Sequence, residues 1–493
     1  MPLRFSEEAS VMLALVASAI AIRSIPEVLS YPYLIGNDTV LYAGIIQRLQ
    51  TCTDILSYFR SPLLPVMLCP LGKMFGSVTV MKIYPPIGYG MLAAGLYLFA
   101  RKSLGMDRHG GFVATLFLLL QFGMLRVSWD LHRNILALAF LLVLLSQIQY
   151  PPGGRRLLLI GGLAVLVILT HELTALLMVA ILVILAIVAL LRRERGLFCS
   201  IMPAIVVSIS MLGYMAFLQP HLVSELFAMY VWQNMLVAVP VFFGLLFFPL
   251  FPFAVLGYRV NRVALAWIVV AATTSFSPIL SPFAFAFWDR WMLMMVLPLG
   301  FLAAGGMLRV AGSAARLLQR STGPCRPRNL MNRIGPVFLL MLCFAPSVYL
   351  ASGFIAYSSD RPFWYFDNTA LWRGGSSGIP ATMLSNTVSP QDAPDVIEVI
   401  SQLNKVMGRN DVVLAHQEFY GWLLLYLDHE KNLTWFEHNP VQPAIALAKA
   451  RGFEKVYLLW FVPGTGWHAP DPDFSIFKEV FRSGIIVAYI YEE

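Results

Sequence analysis

For the first 357 residues the apolar positions fall in long, nearly unbroken runs, and beyond that point they do not. A run of about 20 apolar residues wound as a helix at 1.5 Å per residue matches the roughly 30 Å hydrocarbon core of a bilayer. On that basis the pattern predicts eleven spans, at 10–28, 78–100, 111–126, 133–149, 157–171, 173–191, 200–218, 236–256, 263–279, 291–308 and 335–356. From 358 to 493 the pattern alternates instead. "APDVIEVISQLNKV", "FYGWLLLYL" and "AIALAKARG" read as helices, the last stopped by Gly452, while "DVVLAH", "KVYLLWFV" and "GIIVAYIY" read as strands. The expected fold is therefore an α-helical polytopic membrane domain over 1–357, with a small C-terminal α/β domain over 358–493.

One region between spans is unlike the others. The loop at 29–77 holds two amphipathic segments, Thr39 to Thr51 and Pro62 to Phe75. The second is short and carries Pro62, Pro65, Pro70 and Lys73, which argues for a helix lying in the interface with Lys73 snorkelling to the head groups, and against a twelfth span.

Composition agrees with this division. A chain that is 58% hydrophobic and 13% charged lacks the polar residues to cover a soluble surface. The net charge of +8 does not point to nucleic acid, because the arginines sit in short loops between apolar runs. If the amino terminus is cytoplasmic, Arg101, Lys102, Arg108, Arg155, Arg156, Arg192, Arg193, Arg195, Arg259, Arg262 and the arginines from 309 to 333 all fall inside, as the positive-inside rule requires. An odd number of spans then puts the C-terminal domain outside, as part of a multi-pass plasma-membrane protein. Arg4 ahead of "VMLALVASAIAI" also suits a secretion signal, but the following spans favour an uncleaved anchor. All five cysteines precede residue 358, which excludes a disulfide framework or cysteine zinc site in the C-terminal domain; Cys52 and Cys69 are near enough in sequence to pair.

This topology brings a set of polar residues to the outer ends of spans: Asp38; Asp130, His132 and Arg133 in "RVSWDLHRNIL"; His171 and Glu172 in "LTHELTALL"; His221, Glu225 and Gln233; and Asp289 and Arg290 in "FAFWDRWML". Each has a plain reading. Asp38 suits the N-cap of a helix starting at Thr39, worth about 1 kcal/mol. Asp130 with Arg133, and Asp289 with Arg290, suit ordinary loop charges. His171 and Glu172 are harder to dismiss, because they interrupt an apolar stretch from Leu157 to Leu191. A carboxylate at mid-bilayer costs about 2.5–3.5 kcal/mol on insertion scales, so it needs a helix break or a polar cavity.

No HExxH follows the Thr-His-Glu of 170–172, and no dinucleotide, P-loop or nucleophile-elbow motif occurs in its proper context. Carboxylates beside arginine and histidine just above the membrane suit a lipid-borne phosphate carrying a sugar. The carboxylate activates an acceptor, and the cations hold the phosphate as its charge develops. Nucleotide-activated sugars are not supplied outside the cytoplasm, so the activation arrives on a lipid.

Three stretches carry a family resemblance. "GNDTVLYAGIIQRL" with "SPLLPVMLCPLGKMFG", "SWDLHRNILALAF" and "THELTALLM" resemble the first loop, the second loop and the His-containing junction of the GT-C superfamily of integral-membrane glycosyltransferases, which includes protein O-mannosyltransferases, aminoarabinose transferases and oligosaccharyltransferase catalytic subunits. The resemblance covers most of the chain as architecture. It implies a glycosyltransferase that moves a sugar from a polyprenyl-phosphate-linked donor to a lipid, glycan or protein acceptor among membrane lipids, with no nucleic acid partner. By this resemblance Asp38 and Asp130 take the catalytic positions and Arg133 and His171 those of substrate binding; Glu172, Asp289 and Arg290, read from their place at the outer ends of spans, join them as candidate substrate-binding residues. A single Asp in the first loop, where mannosyltransferases often show Asp-Glu, leaves open whether Asp38 is a base or, with Asp130, a holder of a divalent cation such as magnesium or manganese.

"NDVVLAHQEFYGWLLLYL" resembles weakly the oligosaccharyltransferase segment ending in Tyr-Gly, here Tyr420-Gly421, but its Trp-Trp-Asp part is absent, which argues against recognition of a peptide sequon. Trp364, Trp372, Trp422, Trp435 and Trp467 suit either sugar stacking or a core. Asn432-Leu433-Thr434 is itself a glycosylation sequon. Two rival functions stay open at this level: a transporter or lipid flippase, for which paired repeats would be the sign, and a non-catalytic sensor or scaffold, whose polar residues would not converge.

Overall fold

The structure is a computed structural model that describes residues 7–49, 51–54, 61–218, 226–230, 232–248, 250–257, 261–322, 388, 392–436, 440–465 and 471–492. The chain is a polytopic helical membrane protein with a small C-terminal sheet domain. Among the described residues six helices are long and apolar enough to cross a bilayer, or seven if one bent pair is a single span. The eleventh predicted span, 335–356, lies outside the described residues.

The helices are α1 (Glu7–Leu29), α2 (Asn37–Arg48), α3 (Leu63–Phe75), α4 (Ser77–Lys102), α5 (Arg108–Leu120), α6 (Phe122–Asp130), α7 (His132–Gln147), α8 (Gly154–Thr170), α9 (Glu172–Leu191) and α10 (Arg195–Leu218). Strand β1 (Phe227–Met229) leads to α11 (Trp232–Phe247), α12 (Leu250–Gly257) and α13 (Arg262–Leu280), and β2 (Phe283–Phe285) to α14 (Trp288–Thr322). Two predicted spans are broken. The apolar run at 236–256 is divided between α11 and α12, and the run at 111–126 bends by 62° between α5 and α6.

The cause of that bend is Gln121. Its backbone is extended, its side-chain oxygen caps α6 by accepting from the Met124 N–H at 3.2 Å, and its Nε2 donates to the Leu246 carbonyl at 3.0 Å. The Tyr89 hydroxyl donates to the Leu119 carbonyl that the break releases. A buried polar side chain can interrupt a membrane helix only where the freed backbone groups find such partners.

The described residues fall into two compact units, those of 7–23 with 86–322 and those of 24–85 with 388–492. The dividing lines cut α1 between Arg23 and Ser24 and α4 between Pro85 and Pro86. In the first unit α14 packs along α12, α13 and α5. Phe99 sits at the centre of this packing, with ring centroids 5.5 Å from Phe301 and 6.2 Å from Trp267, all three buried.

The second unit contains α2, α3 and the sheet domain. Its elements are α15 (Ala393–Val406), β3 (Val412–His416), α16 (Gln417–Tyr426), β4 (Asn432–Phe436), α17 (Gln442–Ala450), β5 (Val456–Phe461), β6 (Phe477–Ser483) and β7 (Ile486–Tyr491). The sheet order is β4-β3-β5-β7-β6, with β3 parallel to β4 and β5, and β7 antiparallel to β5 and β6. Strands β3 and β5 are buried along their whole length, as central parallel strands must be. The sequence reading missed β4 and β6. Strand β6 carries Lys478, Glu479 and Arg482 on the sheet's edge, where charge discourages further pairing.

Trp422 is in the core and Trp435 is exposed; Trp364, Trp372 and Trp467 lie outside the described residues. Asn432, the acceptor of the sequon, lies in β4 with its amide nitrogen donating to the carbonyls of Arg409 and Asp411 at 2.6 and 2.9 Å.

Candidate functional site

In the first unit the polar residues begin with the short helix α6. Its last residue, Asp130, is buried, and its Oδ1 accepts from Arg126 Nη1 one turn earlier at 2.5 Å. A buried carboxylate requires such a partner, because the pair offsets what neither charge could bear alone. The carbonyls at the end of α6 have no partners within the helix. Arg23, from α1, supplies them: Nε donates to Ser128 O at 2.9 Å and Nη2 to Trp129 O at 3.2 Å, with the guanidinium 5.6 Å from the Trp129 ring. His132, fully buried, opens α7.

The next residue, Arg133, reaches Glu172 with Nη1 3.3 Å from Oε1, both half-buried. His171 is the helix break the sequence called for. Its backbone is extended between α8 and α9, and its Nδ1 caps α9 by accepting from the Thr174 N–H at 3.3 Å, with the Thr174 hydroxyl at 2.9 Å. Accepting at Nδ1 leaves the ring proton on Nε2, facing away from the cap.

At the head of α14, Phe287 holds a left-handed backbone, φ 56°, which a residue of that size adopts only under constraint. The turn delivers Asp289 into a buried position and Arg290 with its guanidinium 5.0 Å from the Phe287 ring. The ribbon of β1 and β2 brings Tyr230 to the same turn, its N–H on Pro282 O at 2.8 Å and its hydroxyl on Phe285 O at 3.3 Å. Burial first, and then the Asp289 carboxylate, push the Tyr230 phenol up to about 12, so at neutral pH it is a proton donor.

These groups form one electrostatic neighbourhood. Glu172, Arg133 and Arg290 all act on His171, while Arg290 and Arg126 act on Asp289. Asp130, Arg133, His171, Glu172, Asp289 and Arg290 are thus brought together. Among the described residues four guanidiniums, counting Arg23, stand against three carboxylates, a positive balance. Sequence reasoning missed Arg23, Arg126 and Tyr230. Arg126 carried a legible signal, since it precedes Asp130 by four residues, the spacing of a helical ion pair.

Asp38 belongs to the second unit. It is half-buried in the first turn of α2, but it is not the cap. The helix begins two residues earlier than expected, at Asn37, with Gly36 in the cap position and no side-chain capping bond. Gly36, at φ 88°, makes the turn that a capping aspartate could not. The Lys73 Nζ, on an exposed side chain, donates to the Leu49 and Gln47 carbonyls at 2.5 and 3.4 Å, at the end of α2. Cys52 and Cys69 form a disulfide with Cα atoms 5.8 Å apart. Gln233 is exposed on α11, and His221 and Glu225 lie outside the described residues.

At Asp130 the Arg126 guanidinium holds one carboxylate oxygen, Oδ1. Among the described residues no group of three or more His, Cys, Asp or Glu side chains could hold a metal ion.

No protein-family model matches the chain, and no curated protein matches it. Solved structures do. The crystal structure of ArnT from Cupriavidus metallidurans bound to undecaprenyl phosphate aligns at a TM-score of 0.55 and 12% identity, over 97% of each chain. The apo oligosaccharyltransferase of Archaeoglobus fulgidus aligns at 0.55 and 12%, over 91% of this chain and 69% of its own. The arabinofuranosyltransferase AftD from mycobacteria aligns at 0.54 and 11%, over 97% of this chain and 40% of its own. The fold is the one the three stretches of sequence resembled, that of GT-C membrane glycosyltransferases.

Proposed function

We propose that the chain transfers a sugar from a polyprenyl-phosphate-linked donor to a lipid, glycan or protein acceptor at the outer face of the membrane, with the amino terminus cytoplasmic and the sheet domain outside. The observation that carries this reading is the positive neighbourhood of Arg126, Asp130, Arg133, His171, Glu172, Asp289 and Arg290 at helix ends of a GT-C fold. The undecaprenyl phosphate bound to ArnT, which shares the fold, supports a phosphate of that class as the group recognised.

In this reading an acceptor nucleophile attacks the anomeric carbon, and the bond from that carbon to the phosphate oxygen breaks. The phosphate departs on its lipid with both electrons of that bond. Arg133, Arg290 and the Nε2–H of His171 meet the charge that develops on it. We assign the acceptor's proton to Asp38 on the resemblance of its loop, while Asp130 holds Arg126 in place within its own cluster. Glu172 and Asp289 hold the arginines in position and offer acceptors to sugar hydroxyls.

The test is Asp38→Asn in the full chain, expressed in a deletion strain whose lipid-linked sugars are followed by mass spectrometry. General-base loss lowers transfer by about 100-fold or more, so the donor accumulates as in the deletion. Normal donor turnover by folded Asp38→Asn removes Asp38 from the chemistry. No lipid-linked sugar accumulating in the deletion removes the donor class.

A further inference from the structure

Within the second unit, α2 and α16 meet backbone to backbone. A Cβ on Gly44 would lie 2.6 Å from the Leu424 Cβ and 2.8 Å from the Gly421 carbonyl oxygen, and one on Gly421 would lie 2.8 Å from the Leu41 nitrogen. Glycine inside a helix costs roughly 0.5–1 kcal/mol relative to alanine. Two at one crossing indicate that the close approach itself is required.

Arg48, in the last turn of α2, fixes the register of that crossing. Its Nε donates to Leu424 O at 3.0 Å, and its Nη2 to Leu423 O at 3.3 Å and Leu427 O at 2.9 Å. These carbonyls lie in and just past the C-terminal turn of α16, at the negative end of its dipole, and Leu423 O already accepts the Leu427 N–H at 3.0 Å. A side chain from another element thus caps α16. The residue after that turn is held by Lys73 on the Leu49 carbonyl, and the segment beyond it by the Cys52–Cys69 disulfide.

Asp38 lies at the other end of this helix, ten residues and about 15 Å from Arg48 at 1.5 Å per residue. Because α16 follows directly on β3, a rigid path runs from the sheet through α16 and α2 to the Asp38 carboxylate. We propose that the sheet domain serves as the platform that sets the position of Asp38, with Arg48 as the positioning residue that locks α2 to it. This rests on the reading of Asp38 as the base. The domain would then govern the rate of transfer itself, and not only the capture of an acceptor.

The experiment compares full-length wild type, Arg48→Ala, Arg48→Lys and Gly421→Ala. It measures thermal unfolding in detergent, binding of undecaprenyl phosphate, donor turnover in the complemented deletion strain, and amide exchange across Leu41–Ile46. A displaced general base loses turnover steeply, so Arg48→Ala and Gly421→Ala are expected to lower it about 10-fold or more. Affinity for undecaprenyl phosphate should stay as in wild type, Arg48→Lys should recover much of the rate, and exchange over Leu41–Ile46 should quicken. Wild-type turnover in Arg48→Ala, or a loss of turnover matched by loss of undecaprenyl phosphate binding, overturns the platform. Should Asp38→Asn prove active, the base assignment falls separately. Amide exchange then still judges the clamp, and wild-type protection of Leu41–Ile46 in Arg48→Ala refutes it.

Discussion

The helix ends around Asp130 and the helix that carries Asp38 are both built to hold a carboxylate, and they do it by opposite means. Around Asp130 the work is done by charge: Arg126 on Asp130, Arg133 on Glu172, and Arg23 on the end of α6. Around the helix of Asp38 it is done by shape and covalent closure: glycine against backbone, a disulfide, and cationic side chains on the carbonyls of helix ends.

That contrast can be broken by mutation. The largest stability loss is expected from Arg126→Ala, which leaves the buried Asp130 charge without its ion-pair partner, at about 3–5 kcal/mol. Adding Asp130→Ala should return most of it, and denaturant or thermal unfolding of the two variants measures the difference. If the single and double variants are equally unstable, the pair is not what holds α6. Next comes opening the disulfide with Cys52→Ser, which frees a loop closed over 17 residues and is expected to cost about 3 kcal/mol, read as a lower unfolding temperature that reductant reproduces in the wild type.

Arg133→Ala should cost about 1 kcal/mol or less in stability, since its pair with Glu172 is half-buried. Its larger effect should be on undecaprenyl phosphate binding, so a loss of stability without weaker binding would make the pair merely structural. The smallest effect belongs to Lys478→Ala on the edge strand, within about 0.5 kcal/mol, because both members of the Lys478–Glu492 pair are mostly exposed.

Much of this was legible in the residues. Seven of the eleven predicted spans, counting the bent pair, followed from apolar run length among the described residues, the break at His171 from the cost of Glu172 in lipid, and the two loop helices from their amphipathic period. The bend at Gln121 was not legible, because one polar residue in an apolar run looks like a tolerated exception until its partners at Met124 and Leu246 are known. The start of α2 was misread for a related reason. An aspartate before a helical period is a better cap by statistics than a glycine, and the sequence does not show the backbone angle at Gly36 that decides the matter. Strand β4 was hidden because "NLTWF" is short and polar at its head, and its place is fixed by pairing with β3. The meeting of α2 with α16, nearly 400 residues apart in sequence, leaves no local trace at all.

Arg23 has a bearing on how the chain is made. Two of its donors end on carbonyls 105 and 106 residues downstream, which do not yet exist when the first segment leaves the ribosome. Biogenesis must therefore keep that guanidinium in water, among head groups or against the translocation machinery until residues 128 and 129 have been synthesised. The first anchor takes its final seat only after later ones have entered the bilayer.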